Sequence, residues 1–184
     1  MWQTLLDFGL THGRLMFREP KGKLIHPFLD PGGPYSENLW DWDSYWAATA
    51  LFAIAAETGD GEMSDRVRSH ARGSLLNFFA VQGRDGSIPI LMSAKDCDWF
   101  DSIDNPKNNM AKPVQAQFLR LLVDNDAIDA ASAVSLLHAI RAVAECRNRR
   151  YRHAASGLLV WANDDAIGRS EEHTSELQSL AYLV

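Results

Sequence analysis

Hydrophobic and polar positions along the chain repeat mainly at helical spacing, with glycine and proline marking the breaks. Trp2, Leu5, Leu6, Leu10, Met16 and Phe17 predict a helix over 2–18, broken or frayed near Gly9 and Gly13. Pro20, Gly22, Pro27, Pro31, Gly32, Gly33 and Pro34 then predict a long loop without regular structure. From Asp43 to Thr58 the chain is apolar nearly all round, a helix stopped by Gly59 and expected to be buried on several sides. A second helix over about 62–82 is polar early (Asp65, Arg66, Arg68) and apolar late (Leu75, Leu76, Phe78, Phe79), with Gly83 as its stop and a turn at Asp85-Gly86. Val114, Phe118, Leu121 and Leu122 line one face of a helix from Pro113 to about Asn125. Ile128, Ala131, Val134, Leu137, Ile140 and Val143 do the same over about 127–149. Arg147, Arg149 and Arg150 suit the negative end of that helix dipole and fit a solvated helix end. Gly157 to Trp161 has the look of a short strand or extended link. With no run of alternating strands, the expected class is all-α.

One stretch departs from this pattern. Asn38 to Trp46 holds three of the six tryptophans, a tyrosine and two aspartates in nine residues, where the loop becomes a helix. Tryptophan has a broad apolar face and one N–H, while aspartate is rarely buried without a partner. Together they suit a ligand with apolar faces and many hydroxyls, as a sugar ring has, because carboxylates accept strong hydrogen bonds from hydroxyl groups. The plainer reading makes Asp43 or Ser44 the N-cap, Trp40 and Trp42 a staple, and Tyr45 and Trp46 core. A capping aspartate at a helix mouth can also face a pocket.

Composition narrows the remaining choices. In 184 residues, 46% hydrophobic content is enough for one globular unit with a core. A formal charge of −6 gives no reason to expect nucleic acid or an anionic membrane as partner. Cys97 and Cys146 fit no metal or redox spacing, and no signal peptide is evident, so a cytoplasmic setting is expected. The longest apolar run, Trp46 to Ala56, is shorter than the roughly 20 residues a bilayer span needs. Carboxylates at Asp96, Asp98, Asp101 and Asp104 lack the glycine and glutamate of a calcium loop. No metal and no cofactor are expected.

At Arg169 the composition turns abruptly polar. Residues Arg169 to Gln178 resemble the conceptual translation of a sequencing adapter, and 169–184 is set aside on that ground as non-native. Arg169 against Glu171, Glu172 and Glu176 contributes −2, which leaves −4 for residues 1–168.

Three ordered motifs carry a family resemblance. They are Pro31-Gly32-Gly33-Pro34-Tyr35 through Trp40-Asp41-Trp42-Asp43-Ser44-Tyr45, then Lys112-Pro113-Val114-Gln115-Ala116-Gln117, then Gly157 to Trp161 with Asp165 to Gly168. Together they resemble glycoside hydrolase family 63, in its mannosylglycerate and glucosylglycerate hydrolase branch, with trehalases more distant. The resemblance implies an (α/α)6 barrel of six helical hairpins, of which residues 1–168 would supply about half. It implies an inverting hydrolase acting on an α-glucoside or α-mannoside of a small acceptor. Tyr35, Trp40, Asp43, Gln115 and Trp161 match positions that hold the sugar.

The catalytic residues are not identified within this chain. The resemblance places the general acid two residues beyond Gly168, where Ser170 stands, and the base farther downstream. Asp164 and Asp165 do not replace them. The chain as written is therefore expected to be inactive. A non-catalytic helical carbohydrate-binding or scaffold protein is the alternative, and a protein-interaction surface a third.

Overall fold

The structure is a computed structural model and describes residues 2–33, 36–95 and 110–160. Among these it is mostly helical. Helix α1 (Trp2–Gly13) leads through a 3-10 turn (Arg14–Met16) to the short strands β1 (Phe17–Arg18) and β2 (Phe28–Leu29). Strand β3 (Asn38–Trp40) runs directly into α2 (Asp41–Thr58), followed by α3 (Gly61–Ala80), β4 (Leu91–Ser93), α4 (Gln115–Asp124) and α5 (Ala130–Tyr151). β1 pairs antiparallel with β2, and β3 with β4 in the register Asn38–Ser93, Leu39–Met92, Trp40–Leu91. These two-stranded pairs are too short for a periodicity of two to show in the sequence.

The glycine punctuation has two different meanings. Gly59 ends α2 as expected, in the left-handed region at φ 64°, its N–H returning to the Ala55 carbonyl. Gly13 ends α1 near where a break was expected, but Gly9 does not break the helix, which runs through it. A Cβ on Gly9 would lie 2.6 Å from Ile54 Cδ1, and one on Gly13 2.5 Å from Leu51 Cδ2. These glycines let α1 press closely on α2.

Two adjoining cores hold the helices. The first gathers Ala48, Leu51, Phe52 and Ala55 of α2, Val67, Ala71 and Leu75 of α3, and Phe118, Leu119 and Leu122 of α4. The second lies under the strands, around Phe28, Leu39, Phe78, Ile88, Met92, Val143 and Cys146. Helix α3 contributes to both, so its mid-section carries polar groups that secure the preceding chain. Asn77 Oδ1 accepts the His26 N–H at 3.0 Å while its Nδ2 donates to the His26 carbonyl at 3.0 Å. Ser74 Oγ accepts the Leu29 N–H at 3.0 Å. Residues inside the loop expected over 20–34 thus form β2 and lie along α3.

Two other expectations are corrected. Helix α2 is not buried all round, because Trp42, Trp46, Ala50 and Ala53 face solvent; Trp46, expected in the core, is 49% exposed. The arginines of α5 are not simply a solvated end, although Arg149 is exposed. Arg147 is buried and donates to the Ala111 carbonyl at 2.5 Å, and Arg149 Nη2 donates to the Asp85 carbonyl at 2.6 Å. Arg150 Nη2 lies 2.5 Å from Asp85 Oδ2. Arg149 and Arg150 thus bind α5 to the turn expected at Asp85-Gly86, which forms with Gly86 at φ 94°.

Two measurements test this packing. A Cβ on Gly73 would stand 1.9 Å from the Pro27 carbonyl oxygen, backbone that cannot swing aside. Gly73→Ala should therefore destabilise by about 1–3 kcal/mol despite alanine's higher helix propensity. Gly61→Ala, with no atom within 4 Å, should not destabilise in the same urea titration. The second concerns Asp85. Partial burial works against its charge, but hydrogen bonds from Ser87 and the Arg150 guanidinium prevail and lower its pKa from 3.8 to about 2. A carboxyl depressed in the folded state contributes stability above pH 3.8 that is lost as pH falls towards 2. Discounted for solvent screening of a partly exposed pair, the loss is on the order of 1 kcal/mol, and Asp85→Asn should remove that part of the acid limb.

Candidate functional site

Backbone geometry at the start of α2 decides which side chains can act. Trp40 is extended (φ −107°, ψ 138°) as the last residue of β3, and helical geometry begins at Asp41. The helix therefore opens two residues earlier than expected, and its cap residue is Trp40, which makes no side-chain capping bond. Asp43 and Ser44 are not caps. Both lie inside the first turn, where Ser44 Oγ donates to the Asp41 carbonyl at 3.2 Å. Asp41 and Asp43 are two positions apart, roughly 200° around a helix, and so meet opposite surroundings. Asp43 is exposed, whereas Asp41 is 1% exposed.

Asp41 is the hub of the site. Its Oδ2 accepts the backbone N–H of Lys112 at 2.5 Å, and its Oδ1 lies 3.4 Å from Lys112 Nζ. Its own N–H donates to the Ile90 carbonyl at 2.9 Å. Burial pushes the Asp41 carboxyl pKa up, against the opposing pull of Lys112 and of the backbone N–H donors of Lys112 and Trp42. Desolvation wins because no solvent reaches this carboxyl, so every donor it has must come from the protein. The buried Arg147, which feels the Asp41 charge, anchors the same segment through the Ala111 carbonyl.

These bonds bring two of the sequence motifs together. The Lys112 carbonyl accepts Gln115 Nε2–H at 2.8 Å, and Gln115, in the first turn of α4, is 4% exposed. Beside it, Lys112 Nζ stands 5.9 Å from the centre of the Trp42 ring. Tyr45 meets Phe118 edge to face at 5.8 Å, closing the α2–α4 contact. Outside this, Trp42 and Trp46 form an exposed edge-to-face pair at 5.8 Å, with Tyr45 tilted against Trp46 at 5.0 Å. The junction therefore combines exposed aromatic faces, a lysine and a buried amide, with the exposed Asp43 turned away from Asp41.

The candidates fare differently. Trp40, half-buried, and Asp43 sit at the β3–α2 junction, and Gln115 reaches it through its bond to the Lys112 carbonyl. Tyr35 and Trp161 lie outside the described residues, as do the acidic loop over 96–109 and the segment 169–184. Described residues before and after Tyr35 are held by one side chain. Asp30, its side chain fully buried, accepts N–H bonds from Gly32 (2.8 Å) and Glu37 (2.9 Å) and pairs with Arg18 Nε at 2.6 Å.

Asp30 and Asp41 are the buried aspartates whose positioning role sequence reasoning missed. The available signal was that an aspartate next to a glycine-rich turn or between two tryptophans has few water-exposed orientations and must find protein donors. Among the described residues no group of three or more histidine, cysteine, aspartate or glutamate side chains is placed to hold a metal ion, and no helix is long and apolar enough to cross a membrane. Comparison with protein-family models finds no match, and comparison with curated proteins finds no significant relative.

The two aspartates should separate in mutagenesis. Asp41→Ala removes a buried carboxyl that accepts the Lys112 N–H and lies by its ammonium, and should lower unfolding free energy by about 1–3 kcal/mol. Asp43→Ala, exposed and capping nothing, should stay within about 0.5 kcal/mol of the parent. Equal effects in chemical denaturation would contradict this assignment.

Proposed function

We propose that this chain carries the sugar-binding front of an inverting glycoside hydrolase resembling family 63, built as the first hairpins of an (α/α)6 barrel. The substrate class is an α-glucoside or α-mannoside of a small acceptor. The observation that supports the reading is the Asp41–Lys112 contact, which sets the Trp-Asp stretch against the first turn of α4, with the Trp42 ring near Lys112 and Gln115 bonded to the Lys112 carbonyl. Aromatic faces would take the apolar face of a pyranose, while Asp43 accepts from hydroxyls and Gln115 offers an amide. The mostly helical architecture agrees with a helical barrel.

Hydrolysis with inversion needs an acid and a base about 6.5–9.5 Å apart. At this mouth Asp41 is engaged with Lys112, leaving Asp43 as the exposed carboxylate among the described residues. That observation favours a second reading for the chain as it stands, binding without turnover.

Saccharide binding tests both. Tryptophan fluorescence of the full chain should change on titration with methyl α-glucoside or methyl α-mannoside, with a dissociation constant in the ~mM range. Trp42→Ala and Asp43→Ala should each weaken binding about tenfold or more. If neither sugar perturbs the spectrum, or if both variants bind as the parent does, the carbohydrate reading is lost. Release of free sugar from either glycoside by this chain would overturn the expectation of binding without turnover.

A further inference from the structure

We infer that Asp41 is a positioning residue for Gln115, setting which end of its side-chain amide is offered to a ligand. The connection runs through one residue. Asp41 Oδ2 holds the Lys112 N–H at 2.5 Å, and the same residue's carbonyl accepts Gln115 Nε2–H at 2.8 Å. A backbone carbonyl can only accept, so the end of the Gln115 amide that meets it is the nitrogen. The planar amide then turns its oxygen, Oε1, away from Lys112. Gln115 is thereby set as an acceptor, a group that takes an O–H from a ligand, and it cannot flip without breaking its bond to the carbonyl.

Three features make Asp41 the controlling group. It is fully enclosed, so no water can replace it as acceptor for the Lys112 N–H. It approaches both polar groups of Lys112, the backbone N–H and Nζ, and so limits the backbone rotation that would move the Lys112 carbonyl. Its other charged neighbour, Arg147, fixes the preceding residue through the Ala111 carbonyl. The Lys112 carbonyl also accepts the Val114 N–H at 2.8 Å, so the turn leading into α4 is closed around the atom that holds Gln115. Loss of the Asp41 charge should release this turn at Lys112 first and the Gln115 amide with it.

The sugar-affinity arm of the test rests on the carbohydrate reading above; the spectroscopic arm does not. In 15N-labelled full-length protein, the Gln115 side-chain NH2 pair is assigned by its disappearance in Gln115→Ala. In Asp41→Asn that pair should move towards the shifts of a solvent-exposed amide, and affinity for methyl α-glucoside or methyl α-mannoside should fall about tenfold. In Asp43→Asn the pair should stay where it is, whatever happens to affinity.

If Asp41→Asn does not fold, the parent is titrated through the carboxylate range instead. The Gln115 NH2 pair should then follow the same midpoint as the Asp41 side-chain carbon, because protonation weakens the acceptor at Lys112. A Gln115 pair that is unmoved in Asp41→Asn, or that does not follow Asp41 in the titration, overturns the inference. If the pair moves as expected but neither sugar binds the parent, the positioning stands and the carbohydrate reading falls.

Discussion

A carboxylate with no access to water must have all its donors supplied by protein, and at Asp41 this requirement organises the site. Lys112 meets it from 71 residues away along the chain. The bond forces residues 110–115 to lie along the start of α2. That in turn fixes where α4 begins, and so where Gln115 and Phe118 stand. Asp30 acts in the same way at the other entrance, holding Gly32 and Glu37 around the glycine-rich turn and pairing with Arg18 of β1. Both aspartates are buried, and both secure backbone N–H groups. Replacing backbone hydration with a fixed charge gives strong, directional bonds, which irregular segments need in the absence of a ladder of their own.

The helices were legible because their punctuation is chemical. Gly59 ends α2 in a left-handed cap, and Asp60 begins α3 by accepting the Met63 N–H at 3.0 Å. Punctuation failed where a residue type serves two purposes. Gly9 has the composition of a break but acts as a close-approach point inside α1, and only the position of Ile54 on the neighbouring helix tells the two apart. The arginines of α5 misled for a similar reason. A cation at a helix end suits the dipole whether or not it is solvated, and it is the distant partners, the Asp85 turn and the Ala111 carbonyl, that make these structural.

The candidate site was legible only in part. The Trp-Asp stretch and Gln115 were singled out from residue type and motif, and the contact through Lys112 joins the start of α2 to the start of α4. The respective roles of Asp41 and Asp43 were not legible, since they depend on a two-residue difference in where the helix starts. Beginning at Asp41 rather than Asp43 turns one aspartate into the interior and the other towards solvent. Strand β3 sets that start, and its pairing with β4 is a contact between residues more than fifty positions apart, beyond the reach of local propensity.

The same early start accounts for the solvent face of α2. With Asp41 turned inwards, helical spacing carries Trp42, Trp46, Ala50 and Ala53 outwards as one stripe, although all four are apolar. Burying Trp46 as well would require rotating the helix, which would pull Asp41 from Lys112 and lift Leu51 and Ala55 out of the core. Exposure of two indole faces is therefore the consequence of keeping one carboxylate buried. Their edge-to-face contact at 5.8 Å removes part of the exposed area from water and leaves a stepped aromatic surface beside Asp43. Adjacent flat apolar faces and a free carboxylate are what a hydroxyl-bearing ring could use, and at this mouth they follow from the same helix register.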